Sequence, residues 1–324
     1  MTKAKRILVT GGAGFIGSHI VDALLAAGHQ VTVLDNLTTG MRQAVNHSAT
    51  FIEGDVRRPE DLQPIFDHGL DAVFHIAGQA SIRLSFTDPA ADLGVNTLGT
   101  VNILQQCITH RVPRLLFASS MTVYGNTEIN PIPEMTPVYP VSNYAVTKYA
   151  AERYVHIAAT RADLGFDFGV TSFRMFNVYG ERQSLTNAYQ GVFAIFLGNL
   201  LRGEPINIHS DGEQSRDFVH VSDVVRAWIL ALDQPASHGQ VINLGTGQGV
   251  SVNQLCDLVL ASAGKTRANH PVIYHPAQPG DMRCSTADVS KARTILGWEP
   301  QVRFEDGMAA TIRWAQEISK TQDR

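Results

Sequence analysis

Short apolar runs alternate with longer amphipathic stretches through the first half of the chain. Runs with the length and β-branched content of strands occupy residues 6–10, 30–35, 49–55, 71–77 and 114–120. Between them, residues 16–27 and 60–66 place apolar side chains at helical spacing. Because strands that alternate with helices form parallel sheets covered on both faces, we predict an α/β fold with a doubly wound parallel sheet.

The second half of the chain is less regular. Its pattern predicts a strand followed by a helix over residues 218–232, a further strand over 240–245 and a helix over 252–264. An extended segment that ends in a turn is predicted over 270–281. No flexible linker separates the two halves. We therefore predict one domain over 1–180, with 217–245 returning to it, and a smaller C-terminal α/β domain over 181–324.

Composition narrows the class of protein. Hydrophobic residues make up 44% of the 324 residues and charged residues 17%, which supports a buried core and excludes a disordered chain. The net charge is −4 and no basic run could follow a phosphate backbone, so we expect no nucleic-acid partner. The sequence has no run of about 18 apolar residues, so we expect no membrane partner. Cys107, Cys256 and Cys284 match neither a disulfide framework nor a metal site, and we expect a cytoplasmic protein without a metal.

A glycine-rich turn follows the first predicted strand. Gly11, Gly14 and Gly17 have the spacing GxxGxxG and open a predicted helix. Glycines in this context allow a tight turn and the close approach of a pyrophosphate, which the helix N-terminus attracts. Together with the alternating pattern, the turn predicts a Rossmann-type dinucleotide-binding domain.

Acidic residues end the next two predicted strands. Asp35 lies 18 residues after Gly17 and can accept hydrogen bonds from the ribose hydroxyls of adenosine. No arginine stands beside Asp35 to receive a 2′-phosphate, so the sequence favours NAD over NADP. Asp55 either holds the adenine amino group or is an ordinary turn residue.

Candidate acid–base chemistry lies in the segment YAVTK. Tyr144 and Lys148 are four residues apart and share one face of a helix. An ammonium close to a phenol stabilises the phenolate, so we expect a lowered pKa for Tyr144 and a role as general base. Ser120 or Thr122, at the carboxyl end of the fifth predicted strand, is placed to hydrogen-bond the reacting hydroxyl and to pass its proton to Tyr144.

These segments occur in the order found in a known superfamily. The chain contains, in sequence, the glycine turn, Asp35, HIAGQAS, Asn96, SSMTVYG, YAVTK, RMFNVYG, RDFVHVSD and PGDMRCSTAD. This pattern covers essentially the whole chain. It resembles the NAD-dependent nucleotide-sugar epimerase/dehydratase branch of the extended short-chain dehydrogenases/reductases, and within it the UDP-glucose and UDP-N-acetylglucosamine 4-epimerases. The resemblance implies tightly bound NAD and inversion at C4 of a UDP-hexose through a transient 4-keto sugar. It also implies that residues 1–180 bind NAD and that residues 181–324 bind the UDP-sugar.

The resemblance assigns cofactor and catalytic residues as well. Tyr144 would take the proton from the sugar 4-hydroxyl, while Lys148 would hold the nicotinamide ribose. Asn96 would support Lys148, and Ser119 would border the nicotinamide. The implied NAD-binding residues are Gly11, Gly14, Phe15, Ile16, Gly17, Asp35, Asn36, Gly40, Asp55, Val56, Ala77, Gln79, Asn96, Ser119, Tyr144 and Lys148.

A second set of residues is implied for the UDP-sugar. Asn177 and Arg216 would contact the diphosphate, Asp281 would hold the uridine ribose, and residues of the stretch 192–209 would border the uracil. His209 replaces the usual Tyr or Phe and can equally be a surface residue. The implied substrate-binding residues are Ser120, Thr122, Tyr144, Asn177, Val192, Asn207, His209, Arg216, Asp281 and Ser285.

A few positions bear on which sugar is accepted. Ser285 stands where a bulky Tyr restricts the family to glucose and galactose, so its small side chain implies room for an N-acetyl group. Gln278 replaces an arginine that reaches the diphosphate in many 4-epimerases, and Arg283 is the candidate substitute. A UDP-glucuronate 4-epimerase is the alternative, although Asn177 and Ser184 stand where such enzymes have Thr and Arg.

Two other classes of protein fit the sequence less well. A 4,6-dehydratase needs an acid–base carboxylate after Ser120, where this chain has Met121 and Thr122. A non-catalytic NAD-binding protein of this superfamily would be expected to lack Tyr144 or Lys148.

The resemblance further implies a homodimer built from two helices of each subunit, near 97–110 and 145–160. Both stretches carry apolar residues at helical spacing, which could instead pack on the sheet: Val101, Leu104, Cys107, Ile108, Tyr149, Tyr154 and Ile157.

Overall fold

The computed structural model describes residues 3–185, 191–277 and 282–322. The strands are β1 (Arg6–Thr10), β2 (Gln30–Asp35), β3 (Thr50–Glu53), β4 (Ala72–His75), β5 (Arg114–Ser120), β6 (Gly169–Met175), β7 (Asn177–Tyr179), β8 (Ile206–His209), β9 (Ser215–His220), β10 (Gln240–Leu244), β11 (Gly249–Ser251), β12 (Val272–His275) and β13 (Cys284–Ser285). The helices are α1 (Phe15–Ala26), α2 (Pro59–Asp67), α3 (Ile82–Thr87), α4 (Pro89–Leu93), α5 (Gly99–Thr109), α6 (Asn143–Ala159), α7 (Val192–Arg202), α8 (Val221–Leu232), α9 (Val252–Ala261), α10 (Ser290–Leu296) and α11 (Phe304–Gln322).

Seven strands form one large sheet in the order β10-β6-β5-β4-β1-β2-β3, and each neighbouring pair is parallel. The strand order reverses between β1 and β4. Ligands of such sheets bind in the crevice outside the carboxyl ends of the strands at this reversal. The sheet confirms the doubly wound parallel arrangement predicted from the alternating pattern.

Side chains of the large sheet alternate between two separate cores. Ile7 and Val9 pack with side chains of α1, α8 and α10, whereas Leu8 packs with side chains of α2, α5 and α6. On the first face, the Trp228 ring lies 4.9 Å from the ring centre of Phe173. Because helices cover both faces, nearly every strand position can be apolar, which explains the continuous apolar runs.

The C-terminal half builds two smaller sheets over a third core. In the four-stranded sheet, β9 pairs with β7, β11 and β13, while β8 pairs with β12 in the other. Phe193 of α7, Leu255 of α9 and Ile312 of α11 belong to the core beneath them. Residues 217–245 were predicted to return to the first domain. Within this range, β10 joins the large sheet and α8 packs against it. Strand β9 lies in the smaller sheet instead, because β7 and β13 bond to it there.

The apolar stripes expected at a dimer interface divide between core and surface. Leu104 and Cys107 of α5 are buried within the subunit, against the large sheet, and therefore cannot face a partner. Tyr154 and Ile157 of α6 are 52% and 54% exposed. None of the helices among the described residues is long and apolar enough to cross a membrane.

Candidate active site

The turn between β1 and α1 is shaped by its glycines. Gly11 has a φ of +71°, and a Cβ on Gly17 would lie 2.1 Å from the carbonyl oxygen of Gly11. Helix α1 therefore packs on the turn at a distance that no larger residue permits. Its N-cap, Gly14, offers no capping side chain, and its first turn holds no acidic residue. The free amides at this helix start fit the pyrophosphate of NAD.

Asp35, at the end of β2, faces the glycine turn. Its carboxylate accepts hydrogen bonds from the amides of Ala13 and Leu37, both at 2.9 Å. Burial raises the pKa of Asp35, and the two amide donors oppose that rise. A Cβ on Gly40 would lie 2.9 Å from the same carboxylate. A carboxylate has about four acceptor sites, so Asp35 keeps capacity for ribose hydroxyls.

Asp55 is held by its neighbours rather than standing free after β3. Arg57 donates from Nε at 2.9 Å and from Nη2 at 2.6 Å, and the Asn36 amide donates at 3.0 Å. These bonds with Arg57 hold the pKa of Asp55 far below its usual range. An adenine amino group that donates to Asp55 would add to the donors that this carboxylate already has. Next to Asp55, Val56 is buried, and a Cβ on Gly99 would lie 2.6 Å from its side chain.

The proposed acid–base residues meet where β5 ends and α6 begins. Ser142 caps α6 by accepting from the amide of Ala145 at 3.2 Å. Tyr144, the second residue of this helix, is 8% exposed, and the side chain of Ser120 is close enough to influence its pKa. Thr122 donates to the same Ser120 oxygen at 3.0 Å. The structure thus brings three of the four predicted catalytic side chains, those of Ser120, Thr122 and Tyr144, close together.

The prediction that the pKa of Tyr144 is lowered is wrong for this structure. Burial raises that pKa, while the hydrogen bond from Ser120 opposes the rise and the charge of Asp92 adds to it. Lys148 is also buried, and burial lowers its pKa to about 8, with Asp92 and Glu152 opposing. Its ammonium lies 4.7 Å from the ring centre of Phe117. Spacing on the helix could not reveal that both groups lose their solvation together.

Asn96 holds the loop that follows β4 in place through hydrogen bonds to its backbone. It lies in a π-helical turn, Gly94–Leu98, between α4 and α5. Its side chain accepts from the Gln79 amide at 2.9 Å and donates to the Gln79 carbonyl at 3.0 Å. A Cβ on Gly78 would lie 3.0 Å from the Asn96 oxygen and 3.5 Å from Nζ of Lys148. Asn96 therefore positions the loop that contains Ala77 and Gln79, beside the lysine.

The hydroxyl of Ser119 is bound to a buried carboxylate. It donates to Glu152 at 2.6 Å, and Glu152 also forms a two-pronged ion pair with Arg174 at 2.6 and 3.0 Å. Ser119 is 2% exposed. The hydroxyl is drawn to the buried carboxylate on α6, so only the rest of the residue is left to border a nicotinamide.

The residues predicted to contact the diphosphate lie on strand β9 or on its neighbour β7. Asn177 donates to the carbonyl of Asp217 at 3.1 Å, and Arg216 donates to the carbonyl of Met282 at 2.7 Å. Ser285 pairs with Arg216 across β13 and β9 and is fully buried. The Asp217 carboxylate accepts from three backbone amides and one hydroxyl of the loops at 246–247 and 287.

The predicted uracil residues lie at a more exposed end of the molecule. On β8, the ring of His209 lies 5.3 Å from that of His275, whose Nε2 is 2.8 Å from Oδ1 of Asn207. Val192 is the first residue of α7.

Two predicted positions, Asp281 and Gln278, lie outside the described residues. Arg283, the candidate substitute for the missing arginine, forms an exposed ion pair with Asp211 at 2.7 Å.

Several buried charged residues of this region were missed by the sequence interpretation. Glu152 lies four positions after Lys148 on the same helical face, and Asp92 lies four positions before Asn96. Helical spacing was therefore the available signal for both. Arg174 and Asp217 lie on strands, where no pattern distinguishes a buried charge from a surface one.

Comparison with known proteins shows what this architecture is similar to. The model of the NAD dependent epimerase/dehydratase family matches residues 7–245. A UDP-glucose 4-epimerase from Mycolicibacterium smegmatis is 37% identical over 322 residues, covering 97% of this chain and all of that protein.

Solved structures agree over nearly the whole length. The UDP-glucose 4-epimerase of Thermotoga maritima, solved with UDP-glucose, has a TM-score of 0.91 and 39% identity, covering 97% of this chain and 99% of its own. The UDP-glucose 4-epimerase of Thermus thermophilus, in complex with NAD, has a TM-score of 0.88 and 38% identity, covering 96% and 99%.

Proposed function

The chain belongs to the NAD-dependent epimerase/dehydratase family, and from that premise we propose that it is a UDP-hexose 4-epimerase using NAD. The observation that carries the proposal is the grouping of the Thr122, Ser120 and Tyr144 hydroxyls where β5 ends and α6 begins, with Lys148 one helical turn after Tyr144. Full-length similarity to 4-epimerases supports it. A 4,6-dehydratase is disfavoured because Met121 and Thr122 offer no carboxylate after Ser120.

The chain's own residues supply binding and proton transfer. NAD, which the glycine turn and Asp35 would hold, would supply the acceptor and donor of the C4 hydride of the sugar. Tyr144 takes the proton from the 4-hydroxyl, and Ser120 and Thr122 hold that hydroxyl against the phenol. The Lys148 ammonium stabilises the phenolate. When C4 is reduced again, Tyr144 gives the proton back.

We further propose how the two parts of the chain divide the ligands. Residues 1–180 bind NAD through the glycine turn and Asp35, and residues 181–324 bind the UDP-sugar. Around β9, Asn177 and Arg216 donate to the carbonyls of Asp217 and Met282, and we propose that both side chains contact the diphosphate. The remaining cofactor and substrate residues named above keep the roles that the family resemblance implies.

The accepted sugar is proposed from the residue at position 285. Ser285 is fully buried, and its hydroxyl has no hydrogen-bond partner among the described residues. A small side chain at this point leaves volume that an aromatic ring would occupy. We therefore infer that UDP-N-acetylglucosamine is accepted together with UDP-glucose.

We also propose a homodimer and a cytoplasmic location. The exposed apolar residues Val146, Tyr154 and Ile157 lie on α6 and are the residues that a partner helix would cover. Three free cysteines, two of them buried, fit a reducing compartment. A solution mass near one 35.3 kDa chain would contradict the dimer.

The test is a substrate panel without added reductant. Purified protein is incubated separately with UDP-glucose, UDP-N-acetylglucosamine and UDP-glucuronate, and the C4 epimers are followed by NMR. We expect conversion of the first two, and none by Tyr144→Phe. Turnover of UDP-glucuronate alone would favour the alternative epimerase, and no conversion of any of the three would refute the proposal.

A further inference from the structure

We propose that Asp92 is a positioning residue of the Tyr144–Lys148 pair, which ties together the elements around the pair and supplies the negative charge that keeps the buried ammonium protonated. The inference rests on the proposed function, because it assumes that Tyr144 and Lys148 act on the substrate. It adds a residue that the family resemblance did not assign.

The geometry places Asp92 at the junction of three elements. It lies in α4, directly before the π-helical turn, and is 1% exposed. Its carboxylate accepts from the Gln79 side chain at 2.7 Å and from Asn96 at 3.0 Å. On its other oxygen it accepts from Thr147 at 2.7 Å. One carboxylate thus joins the loop after β4, the π-helical turn and α6.

Thr147 links this network directly to the catalytic helix. It lies between Tyr144 and Lys148 in sequence, and its carbonyl accepts from Thr97 of the π-helical turn at 3.0 Å. Its hydroxyl also donates to the Tyr144 carbonyl at 3.0 Å. A shift of Asp92 would therefore move the turn of α6 that carries both catalytic side chains.

No charged side chain donates a hydrogen bond to Asp92 among the described residues. In the part of the chain that the structure describes, its hydrogen-bond donors are all uncharged amides and hydroxyls. The other buried carboxylate nearby, Glu152, is neutralised by its two-pronged pair with Arg174. Buried charges act strongly over short distances, and of the two carboxylates that raise the pKa of Lys148, Asp92 has the larger effect.

The remaining ionisable groups around α4 do not compete with it. On β4, His75 is neutral, because burial lowers its pKa to about 3. Arg57, whose side chain lies beside Gly94, is paired with Asp55. Arg83 of α3 and Asp88 at the N-cap of α4 are exposed.

The field of Asp92 acts in the same direction on both catalytic groups. A negative charge favours the protonated form of each, so it raises the pKa of Lys148 and that of Tyr144. For the lysine, this opposes burial and preserves the ammonium that the phenolate needs. Removing the charge should lower both values together.

The experiment titrates Tyr144 in NAD-loaded protein without any sugar. The phenolate absorbance of the protein is recorded against pH, and the same curve for Tyr144→Phe is subtracted to remove the other tyrosines. We expect Asp92→Asn to move the Tyr144 titration to lower pH by about one unit. The pH profile of epimerisation should move in the same direction.

Two control variants separate charge from geometry. Asp88→Asn removes the same charge from an exposed position of the same helix and should leave the titration in place. Thr147→Val breaks one bond to Asp92 but keeps its charge, so it should slow turnover without moving the titration to lower pH. An unshifted titration in Asp92→Asn would overturn the inference, whatever its activity. An inactive wild type with a shifted Asp92→Asn titration would instead count against the proposed function alone.

Failure of Asp92→Asn to fold is also informative. If Asp92 compensates the buried ammonium, the double variant Asp92→Asn/Lys148→Met carries no uncompensated charge and should regain thermal stability. A double variant as unstable as Asp92→Asn would show that the network needs only the shape of the carboxylate, which overturns the role of its charge.

Discussion

Removing a single charge from the buried ion pair between Glu152 and Arg174 should greatly lower the free energy of unfolding. The two side chains are 2% and 6% exposed, and their closest N–O distance is 2.6 Å. Ser119 adds a further hydrogen bond to the carboxylate at 2.6 Å. The perturbation is Glu152→Gln, which keeps the volume and removes the charge.

The expected loss of stability depends on the contacts that Arg174 keeps without Glu152. Burial alone would lower the pKa of Arg174, and the bonds and charge of Glu152 reverse that, so the guanidinium depends on this partner. Without Glu152, it keeps the Glu134 carbonyl at 3.3 Å and the Tyr124 ring at 4.7 Å. Leaving a buried charge without its partner costs about 3–5 kcal/mol. That is a large part of the roughly 5–15 kcal/mol that stabilises an ordinary protein.

The assay is urea unfolding followed by circular dichroism and tryptophan fluorescence, with linear extrapolation of the free energy of unfolding. Coincidence of the two signals tests whether the chain unfolds in one step. The matched control is Asp163→Asn, which breaks the Arg161–Asp163 pair of the same 2.6 Å length on the surface. That pair is exposed, so its loss should be unmeasurable.

A double variant tests whether the unpaired charge causes the loss of stability. Glu152→Leu/Arg174→Met replaces both charges with apolar groups and should cost less than Glu152→Gln alone, because no buried charge is left unpaired. The reasoning is refuted if Glu152→Gln is as stable as Asp163→Asn. It is also refuted if the double variant loses as much stability as Glu152→Gln alone, or more.

Three further predictions concern the catalytic tyrosine, the glycine turn and acid stability. Tyr144→Phe should reduce epimerisation by at least roughly 10²-fold while retaining bound NAD, and a variant with wild-type turnover would exclude the tyrosine as base. Gly17→Ala should abolish NAD binding, measured by release of the nucleotide from purified protein, because its Cβ would lie 2.1 Å from the Gly11 carbonyl oxygen; normal NAD content would contradict the close packing. Burial lowers the pKa of His75 from 6.5 to about 3, so the folded state resists a proton that the unfolded chain accepts. Stability should therefore fall as pH drops from about 6.5 towards 3, by up to about 1.4 kcal/mol per pH unit, and His75→Gln should flatten that slope in urea titrations at several pH values.

Local patterns in the sequence determined the framework of this protein. A strand buried on both faces needs a continuous apolar run, and a helix packed on it needs apolar residues at helical spacing, so β1, α1 and β5 can be located from single segments. The glycine turn is equally local, because its φ and its close approach to α1 require glycine at defined positions. Tyr144 and Lys148 share a helical face by spacing alone.

Tertiary structure decided the electrostatics of the site. Burial, which no short segment specifies, raises the pKa of Tyr144 where the neighbouring lysine had suggested the opposite. The Ser119 hydroxyl turns to Glu152 because β5 meets α6 there, which became visible only when the chain was folded.

Asp92 shows the same limit of sequence reasoning. Asn96 is only four positions away, but Gln79 and Thr147 are 13 and 55 positions away, and only the folded chain brings them within hydrogen-bond distance. Periodicity records which face of an element is apolar, whereas the charge that reaches a buried group depends on distances between elements remote in sequence. That is why the fold and the shared helical face of Tyr144 and Lys148 could be predicted from the sequence, whereas the burial that shifts their pKa values could not.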